Sequence, residues 1–194
     1  MFEILEREIV SRIKYDDMLL TELEQRAKII EIGKGQHLLR NTEVCQYGFF
    51  INKGSFMHTY LNDEGKEFVI AFHVDDVYRY ITSPQSFFSG KTSEFEIVAL
   101  EESQVLAFHK NDLEELSSRY PHFHQYYHSL TSDGFLYLYK FSTMKLSTSS
   151  KNFIQKLYNE YPVFFERIPD KYIARFLGIS VEWFCKLKKK LLSP

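Results

Sequence analysis

The residues most suited to chemistry in this sequence lie in the stretch KYIARFLGISVEWFCKLKKK (171–190). Glu182 and Lys186 stand four residues apart, so both would lie on one face of a helix, with Lys189 close by. A carboxylate accepts hydrogen bonds from cytosine, and lysines donate to guanine or to phosphate. The pattern predicts contacts with a nucleic acid, and a solvated charged face is the alternative that charge alone leaves open.

Two short helices fit this stretch better than one long helix. Gly178 stands where the chain between two helices must turn, and a glycine inside a single helix would cost about 1 kcal/mol. Ser180 is a good N-cap for the second helix, and Ala174 is small where two helices would cross closely. The residues that we expect to contact DNA are Ser180, Val181, Glu182, Cys185, Lys186, Lys189 and Lys190.

The histidines offer no comparable site. A metal dioxygenase built on a β-barrel needs two histidines and a carboxylate that converge, and no such set follows from the positions of His58 and His73. His122 and His124 form His-x-His but follow a proline at the start of a helix, and the pair His124 and His128 has no acidic or thiol partner nearby. We therefore expect a protein that is not an enzyme and that holds no metal and no cofactor.

Composition and charge indicate two modules. Residues 140–194 contain 11 Lys+Arg and 4 Asp+Glu, whereas residues 1–139 contain 13 Lys+Arg and 22 Asp+Glu, so a basic third follows an acidic front. This asymmetry favours a polyanion as the partner of the C-terminal module. No apolar run reaches the roughly 18 residues of a membrane helix, so we expect no membrane contact. Cys45 and Cys185 are too few for a disulfide framework or an iron–sulfur cluster, which predicts reduced thiols and a cytoplasmic location.

The elements that must position these residues follow from the apolar periodicity. Residues 2–30 show helical spacing, and residues 33–108 consist of short aromatic and β-branched runs between Gly, Asn and Asp breaks. The segment NDEGKE (62–67) is a good hairpin turn between two of these runs. The pattern is typical of a β-sandwich or barrel.

A long helix is predicted from Pro121 to Leu146. Seven of its residues are spaced 4-3-4-3-4-3, which is typical of a coiled-coil seam, and a glycine on the seam would let two backbones approach closely. The stripe could instead pack on its own domain, but its place between an acidic and a basic module favours a parallel homodimer. The predicted dimerisation residues are Phe123, Tyr127, Leu130, Gly134, Tyr137, Phe141 and Met144.

Five segments carry a resemblance to a known family: KGQHLL (34–39), YGFFINKGSF (47–56), NDEGKEFVIAFHVDD (62–76), IVALEESQVLAF (97–108) and IPDKYIARFLGISVEWFCKLKKK (168–190). Through them the whole chain resembles the Crp/Fnr transcription regulators, and its last stretch resembles the Bacteroidetes-type branch of that family. The resemblance implies an α+β fold with an N-terminal cyclic-nucleotide-binding-like β-roll (a double-stranded jelly roll), a long dimerisation helix and a C-terminal winged helix-turn-helix domain. By resemblance, Glu182 takes the place of a base-reading glutamate and Lys186 that of an arginine, whereas Val181 departs from a frequent polar residue.

The same resemblance argues against cAMP as the effector. Cyclic-nucleotide-binding members of the family carry Phe-Gly-Glu, then Arg-Ser or Arg-Thr, which hold the ribose and the phosphate. Residues 72–100 contain no Gly-Glu, and Glu94 and Glu96 stand near the expected arginine, where they would repel a phosphate. We expect another small-molecule effector or none. The candidate effector-binding residues are Asp76, Tyr78, Arg79, Tyr80 and Phe87.

Three segments are predicted: a sensor domain at 1–120, a dimerisation helix at 121–146 and a winged helix-turn-helix domain at 147–194. The predicted function is a DNA-binding transcription regulator whose partners are a palindromic double-stranded DNA site, a second copy of the chain and RNA polymerase. Two alternatives stay open. One is a regulator that responds to a cyclic nucleotide, and the other is a small-molecule-binding module whose C-terminal domain docks proteins.

Overall fold

The computed structural model describes residues 2–192, with side chains as far as residue 191. Helices at both ends enclose a strand-rich middle. The helices are α1 (Glu3–Val10), α2 (Asp17–Arg26), α3 (Pro84–Ser89), α4 (Lys110–Arg119), α5 (Pro121–Ser147), α6 (Ser150–Glu160), α7 (Pro162–Arg167), α8 (Asp170–Leu177) and α9 (Val181–Leu192). The strands are β1 (Lys28–Ile32), β2 (His37–Leu39), β3 (Tyr47–Lys53), β4 (Ser55–Leu61), β5 (Glu67–Val74), β6 (Tyr80–Ile81), β7 (Phe95–Ala99) and β8 (Ser103–His109).

These strands form two antiparallel sheets. One sheet has the order β1-β8-β3-β6 and the other has the order β2-β7-β4-β5. Phe50 on β3, Phe56 on β4 and Leu106 on β8 are buried in one core, so the two sheets pack face to face. The predicted α+β fold with an N-terminal β-roll is confirmed.

The hairpin between β4 and β5 forms at the predicted turn. The Asn62 side-chain oxygen accepts hydrogen bonds from the backbone N–H of Glu64 at 3.2 Å and of Lys66 at 2.8 Å. Gly65 has a φ of 74°, a conformation that glycine adopts without strain. The turn fixes the register of the two strands on which much of the interior depends.

Two apolar cores stabilise the chain. The first lies inside the β-roll and includes residues of α1, α2, α4 and the start of α5. The second lies between the outer face of the β2-β7-β4-β5 sheet and the helices α5 to α9. Met57, Phe72 and Val98 supply the sheet side of this second core, and Phe164 and Phe184 supply the helix side. The C-terminal helices are therefore packed directly on the β-roll.

The long helix α5 begins at Pro121 as predicted and ends at Ser147, one residue later than expected. Proline is favoured at the first position of a helix because its missing N–H has no intrahelical partner there. Ser149 then caps α6, with its hydroxyl accepting from the Asn152 N–H at 3.3 Å. Each core contains residues from more than one predicted segment, so the packing does not mark where one segment ends and the next begins. The predicted boundaries therefore stay predictions.

The C-terminal segment is a helix-turn-helix module, but the predicted wing is not seen. Within residues 148–192 the structure contains only α6 to α9 and no strand. A wing needs two extended segments that pair with each other. Between the end of α5 at residue 147 and the end of α9 at residue 192, no two such segments pair.

We predict that Gly54→Ala lowers the free energy of unfolding by about 3 kcal/mol, because strain and overpacking add at this position. Gly54 has a φ of 119°, and a Cβ there would lie 2.1 Å from the Ser103 hydroxyl oxygen and 2.9 Å from the Ser103 Cα. Gly65→Ala is the matched control, since Gly65 has positive φ but open space around it, and it should cost about 1 kcal/mol. Urea denaturation measures both, and equal losses would contradict the steric explanation.

Candidate nucleic-acid interface and internal cavity

The predicted helix-turn-helix is formed by α8, a tight turn and α9. Gly178 ends α8 in the left-handed conformation, with φ 72° and ψ 29°, and the Ile179 N–H donates to the Ala174 carbonyl oxygen at 3.1 Å. The Ser180 hydroxyl then accepts from the Trp183 N–H at 3.1 Å and caps α9. Both turn residues act as the sequence predicted.

The inner side of α9 is held against the rest of the module. Phe184 and Leu187 are buried in the second core together with Ile173 on α8. Lys188 Nζ lies 2.6 Å from an Asp170 carboxylate oxygen at the start of α8. These contacts fix the rotation of α9 about its axis, so the same side of the helix always faces solvent.

The outer side of α9 presents the residues that we expected to contact DNA. In the described part of the chain, Lys186, Lys189 and Lys190 form no ion pair with a carboxylate, in contrast to Lys188. The pKa of Glu182 is lowered because its own backbone N–H and then the Ser180 hydroxyl donate to its carboxylate. The exposed residues are Ser180, Val181, Glu182, Cys185, Lys186, Lys189 and Lys190.

Trp183 is an exposed residue of α9 that the sequence reasoning did not include. Its side chain is 48% exposed, and Lys186 Nζ lies 5.9 Å from the centre of its ring. The sequence could have marked it as a candidate contact residue, since it is the only tryptophan and stands in the first turn of the predicted helix. An exposed indole beside a lysine adds a flat apolar surface to the edge of this face.

An arginine network holds the module on the β-roll and involves one predicted effector residue. Arg167, at the end of α7, pairs with Asp75, with Asp76 at 3.0 Å and with Glu101 at 2.6 Å. Asp76 therefore lies in an ion-pair network and does not line the cavity described below. No local pattern in the sequence indicates this pairing, because Arg167 and Asp76 are 91 residues apart.

The predicted dimer seam packs against its own chain. The Tyr137 hydroxyl donates to the Phe72 carbonyl oxygen at 2.6 Å, and a Cβ on Gly134 would lie 2.9 Å from the Tyr78 hydroxyl oxygen. The stripe thus packs on its own domain, because heptad spacing identifies an apolar side of a helix but not the partner that covers it, and its contact with a second copy stays a prediction. The remaining seam residues, Phe123, Tyr127, Leu130, Phe141 and Met144, also pack on the two cores.

A different stripe of α5 is exposed along the helix. Its six members are spaced 4-3-4-3-4, and at about 100° per residue it lies roughly 150° around the helix from the predicted seam. The Phe135 and Tyr139 rings stack with centres 5.8 Å apart, and Leu146 is 88% exposed. We call this set the outer α5 stripe; it consists of His128, Ser132, Phe135, Tyr139, Ser142 and Leu146.

A cavity of about 390 Å³ lies between the β-roll and α5. Tyr78, Tyr80 and Phe87, three of the predicted effector residues, line it. The Tyr78 hydroxyl donates to the Leu130 carbonyl oxygen at 3.2 Å, and the Tyr80 hydroxyl is hydrogen-bonded to that of Tyr126. The walls of the cavity are therefore aromatic, and these hydroxyls are already engaged.

Arg79, another predicted effector residue, lies outside the lining of the cavity. Its guanidinium donates to the carbonyl oxygens of Ile51 at 2.9 Å and Asn52 at 3.1 Å, and it lies over the Phe50 ring. The arginine thus satisfies backbone groups near the end of β3. A phosphate in the cavity would have no contact with this cation.

Two histidines in the cavity lining were not predicted as functional residues. His58 on β4 and His73 on β5 are more than nine-tenths buried, with ring centres 4.9 Å apart. Burial lowers the pKa of His58 to about 4. Burial and the His58 ring lower the pKa of His73 well below its usual value, against the opposing effect of the Tyr80 backbone. Both rings are therefore uncharged at neutral pH.

Comparison with solved structures shows the fold. FixK2 from Bradyrhizobium japonicum has a TM-score of 0.71 at 13% identity, over 86% of this chain and 85% of that one. A transcriptional regulator of the Crp/Fnr family from Eubacterium rectale has a TM-score of 0.70 at 14% identity, over 92% and 84%. The c-di-GMP-responsive regulator CLP from Xanthomonas campestris has a TM-score of 0.66 at 13% identity, over 92% of each chain. The chain has the fold of these regulators.

Comparisons based on sequence give no further information. No family model matches the chain, and no curated protein matches it. Among residues 2–192, no helix is long and apolar enough to cross a membrane, and no group of three or more His, Cys, Asp or Glu side chains is arranged to hold a metal ion.

We predict that the free energy of unfolding falls as the pH is lowered from 7.5 to 5. The pKa of His58 is about 4 in the folded protein and 6.5 when unperturbed, so below pH 6.5 the unfolded chain takes up a proton that the folded chain does not. His58 alone should contribute a loss of about 2 kcal/mol over this range, and the loss levels off below about pH 4.

Urea denaturation at several pH values measures this loss. His58→Phe should remove the part of the slope due to His58, whereas His122→Phe, at an exposed site on α5, should leave the slope unchanged. If the free energy of unfolding of His58→Phe depends on pH as steeply as that of the wild type, His58 is not the group whose protonation destabilises the folded protein.

Proposed function

We propose that this chain is a DNA-binding transcription regulator of the Crp/Fnr type. The observation that carries the proposal is the outer side of α9, where Glu182, Lys186 and Lys189 are exposed on a capped helix whose inner side is buried. A recognition helix needs this arrangement, since its outer side enters the major groove. The fold shared with known regulators supports the same conclusion.

The side chains of α9 have different roles in this proposal. Glu182 accepts a hydrogen bond from a cytosine amino group, and Lys186 donates to guanine or to phosphate. Lys189 and Lys190 contact phosphate and contribute affinity without sequence preference. Because a lysine lacks the two-pronged geometry of arginine, the site sequence should differ from one that is read by an arginine at this position.

The proposed regulator acts as a homodimer through the outer α5 stripe. Phe135, Tyr139 and Leu146 are apolar and exposed at one side of a long helix, as expected of a surface that a second copy covers. In such a dimer the two-fold axis would run along the paired α5 helices and would relate the two copies of α9 to each other. The DNA site is then a palindrome whose half-sites lie about 34 Å apart.

The β-roll acts as the sensor, and cAMP is not its ligand. Among the described residues, no Asp, Glu, Lys or Arg lines the cavity, so a cyclic phosphate would be buried without a cation. A regulator of this type would work with RNA polymerase in the cytoplasm. Because no cation among the described residues lines the cavity, a response to a cyclic nucleotide is the less favoured candidate.

A protein-docking role for the C-terminal module is the rival from another class. Such a role would use the same exposed face with Trp183 as an anchor, because aromatic residues are enriched at protein interfaces. The exposed lysines of α9 favour DNA, since they are free to neutralise phosphates. The two functions differ in salt dependence and in the response to changes of single charges.

We predict that Glu182→Ala reduces discrimination between a selected DNA site and random duplex by about 1–3 kcal/mol, because each half-site then has one fewer hydrogen bond to a base. Lys189→Ala should weaken binding to both DNAs alike and reduce the salt slope by about one unit for each phosphate that is no longer neutralised. Fluorescence anisotropy at several salt concentrations measures both effects.

Lys151→Ala is the control for the removal of a lysine from the same module, since Lys151 is exposed on α6 and not on α9. It should leave DNA binding nearly unchanged. The proposal fails if Glu182→Ala alters neither specific nor random binding, or if the wild-type chain shows no salt-dependent affinity for DNA.

We predict that Phe135→Glu with Tyr139→Glu converts the dimer to a monomer, because like charges would be placed on both copies at the exposed aromatic residues of the outer α5 stripe. Light scattering gives the mass, and circular dichroism checks the fold. His122→Glu, exposed on the same helix but outside the outer α5 stripe, should stay dimeric. A doubly substituted chain that remains a dimer would exclude this face as the interface.

A further inference from the structure

The cavity between the β-roll and α5 has the properties of a small-molecule site. Its volume of about 390 Å³ falls within the range of such sites. The buried wall is formed mostly by aromatic and aliphatic side chains from the β1-β8-β3-β6 sheet and from the helices, and the β2-β7-β4-β5 sheet contributes His58 and His73. Phe88 on α3 and Phe135 on α5 also line it and are themselves exposed, so the cavity reaches the surface between these helices.

Two polar side chains in this wall have unused hydrogen-bonding capacity. Among the described residues, His58 Nε2 and both ring nitrogens of His73 are buried without a hydrogen bond of good geometry, although the Tyr80 backbone lies close enough to the His73 ring to favour its protonated form. The Tyr78 and Tyr137 hydroxyls, beside His73, already donate to backbone carbonyl oxygens. Buried polar groups of native proteins are satisfied in all but a few cases, so these nitrogens identify the place where a ligand forms hydrogen bonds.

The charge of the ligand follows from the same residues. An uncharged imidazole has one donor and one acceptor nitrogen, so the pair can bind a hydroxyl or a carbonyl group. It cannot neutralise an anion, and within the described part of the chain no lysine or arginine lines the cavity. A carboxylate or phosphate would therefore lose its hydration without compensation.

We infer that this cavity binds an uncharged, largely apolar molecule with a ring system, and that a hydroxyl or carbonyl group of the molecule is hydrogen-bonded by His58 and His73. The inference rests on the proposed function in one respect, since this molecule is the effector that the β-roll senses. His58 and His73 act as specificity-determining residues, and the aromatic wall supplies most of the contact area.

The test uses three probes with the same ring system and measures binding by calorimetry at pH 7.5, without DNA. These are 2-naphthol, which is uncharged with a hydroxyl, naphthalene, which has no polar group, and 2-naphthoate, which is an anion. We expect 2-naphthol to bind about tenfold more tightly than either of the others, the value of one or two net hydrogen bonds. The inference is overturned if 2-naphthol does not bind, or if 2-naphthoate or naphthalene binds as tightly.

Substitution of the histidines locates the site. His58→Phe and His73→Phe keep a ring of similar shape in an apolar setting, and each should weaken 2-naphthol binding about tenfold while naphthalene binding stays the same. His122→Phe, exposed and outside the lining, should bind all probes as the wild type does. Unchanged 2-naphthol affinity in both cavity variants overturns the inference, and if one variant fails to fold, the other variant and the three-probe comparison decide.

The DNA experiment is separate and keeps the two proposals distinguishable. A chain that binds 2-naphthol with the expected selectivity but has no salt-dependent affinity for DNA supports the ligand class and overturns the proposed regulator. A chain that binds DNA through α9 but fails the three-probe comparison keeps the regulator and overturns the ligand class.

Discussion

Strand β5 carries the constraint on which the rest of the structure depends, because its alternate side chains face two different interiors. Phe72 belongs to the core shared with the C-terminal helices, and its ring centre lies 5.3 Å from that of Phe176 on α8. His73, the next residue, lines the cavity below α5. A single backbone thus separates the cavity from the helix-turn-helix, and Tyr137 of α5 donates to the carbonyl group between them. Densely packed interiors have little free space, so a shift of β5 on one side must be accommodated on the other.

Helix α5 meets this strand on its inner side, and its opposite side exposes large apolar residues to solvent between polar ones. Phe123 and Phe141 pack into the two cores, whereas Phe135 and Leu146 are exposed. A helix that is apolar on opposite sides is typical of one that is covered on both. The inner side explains why α5 is one uninterrupted helix across two cores. The outer side is the surface through which we propose that a second copy binds, because the predicted seam packs within the chain.

The parts of the fold that could be predicted from the sequence are those with local causes. Gly178 and Ser180 set the turn before α9 by their own conformational and capping properties, and the Asn62 turn sets its hairpin in the same way. The seam of α5 was assigned to a second copy, whereas the structure shows it packed on its own chain. Sequence could not separate the two, because apolar spacing is identical for a contact within a chain and between chains. The His58 and His73 pair could not be found, since their proximity depends on strand register and neither residue stands in a recognisable motif. The pairing of Asp76 with Arg167 likewise depends on how the modules dock.

Electrostatics explains how the acidic β-roll and the basic module can dock without covering the proposed DNA face. The docking uses arginines: Arg167 pairs with carboxylates of the roll, and Arg175 on α8 pairs with Glu67 on β5. Arginine suits such pairs because its planar group forms several hydrogen bonds at once and is weakly hydrated. The outer lysines of α9 remain in solvent, where a compact, strongly hydrated charge is suited to exchange water for phosphate. The division between arginine at the internal contact and lysine at the outer face is what a module needs if it is to stay attached to its sensor while it binds a polyanion.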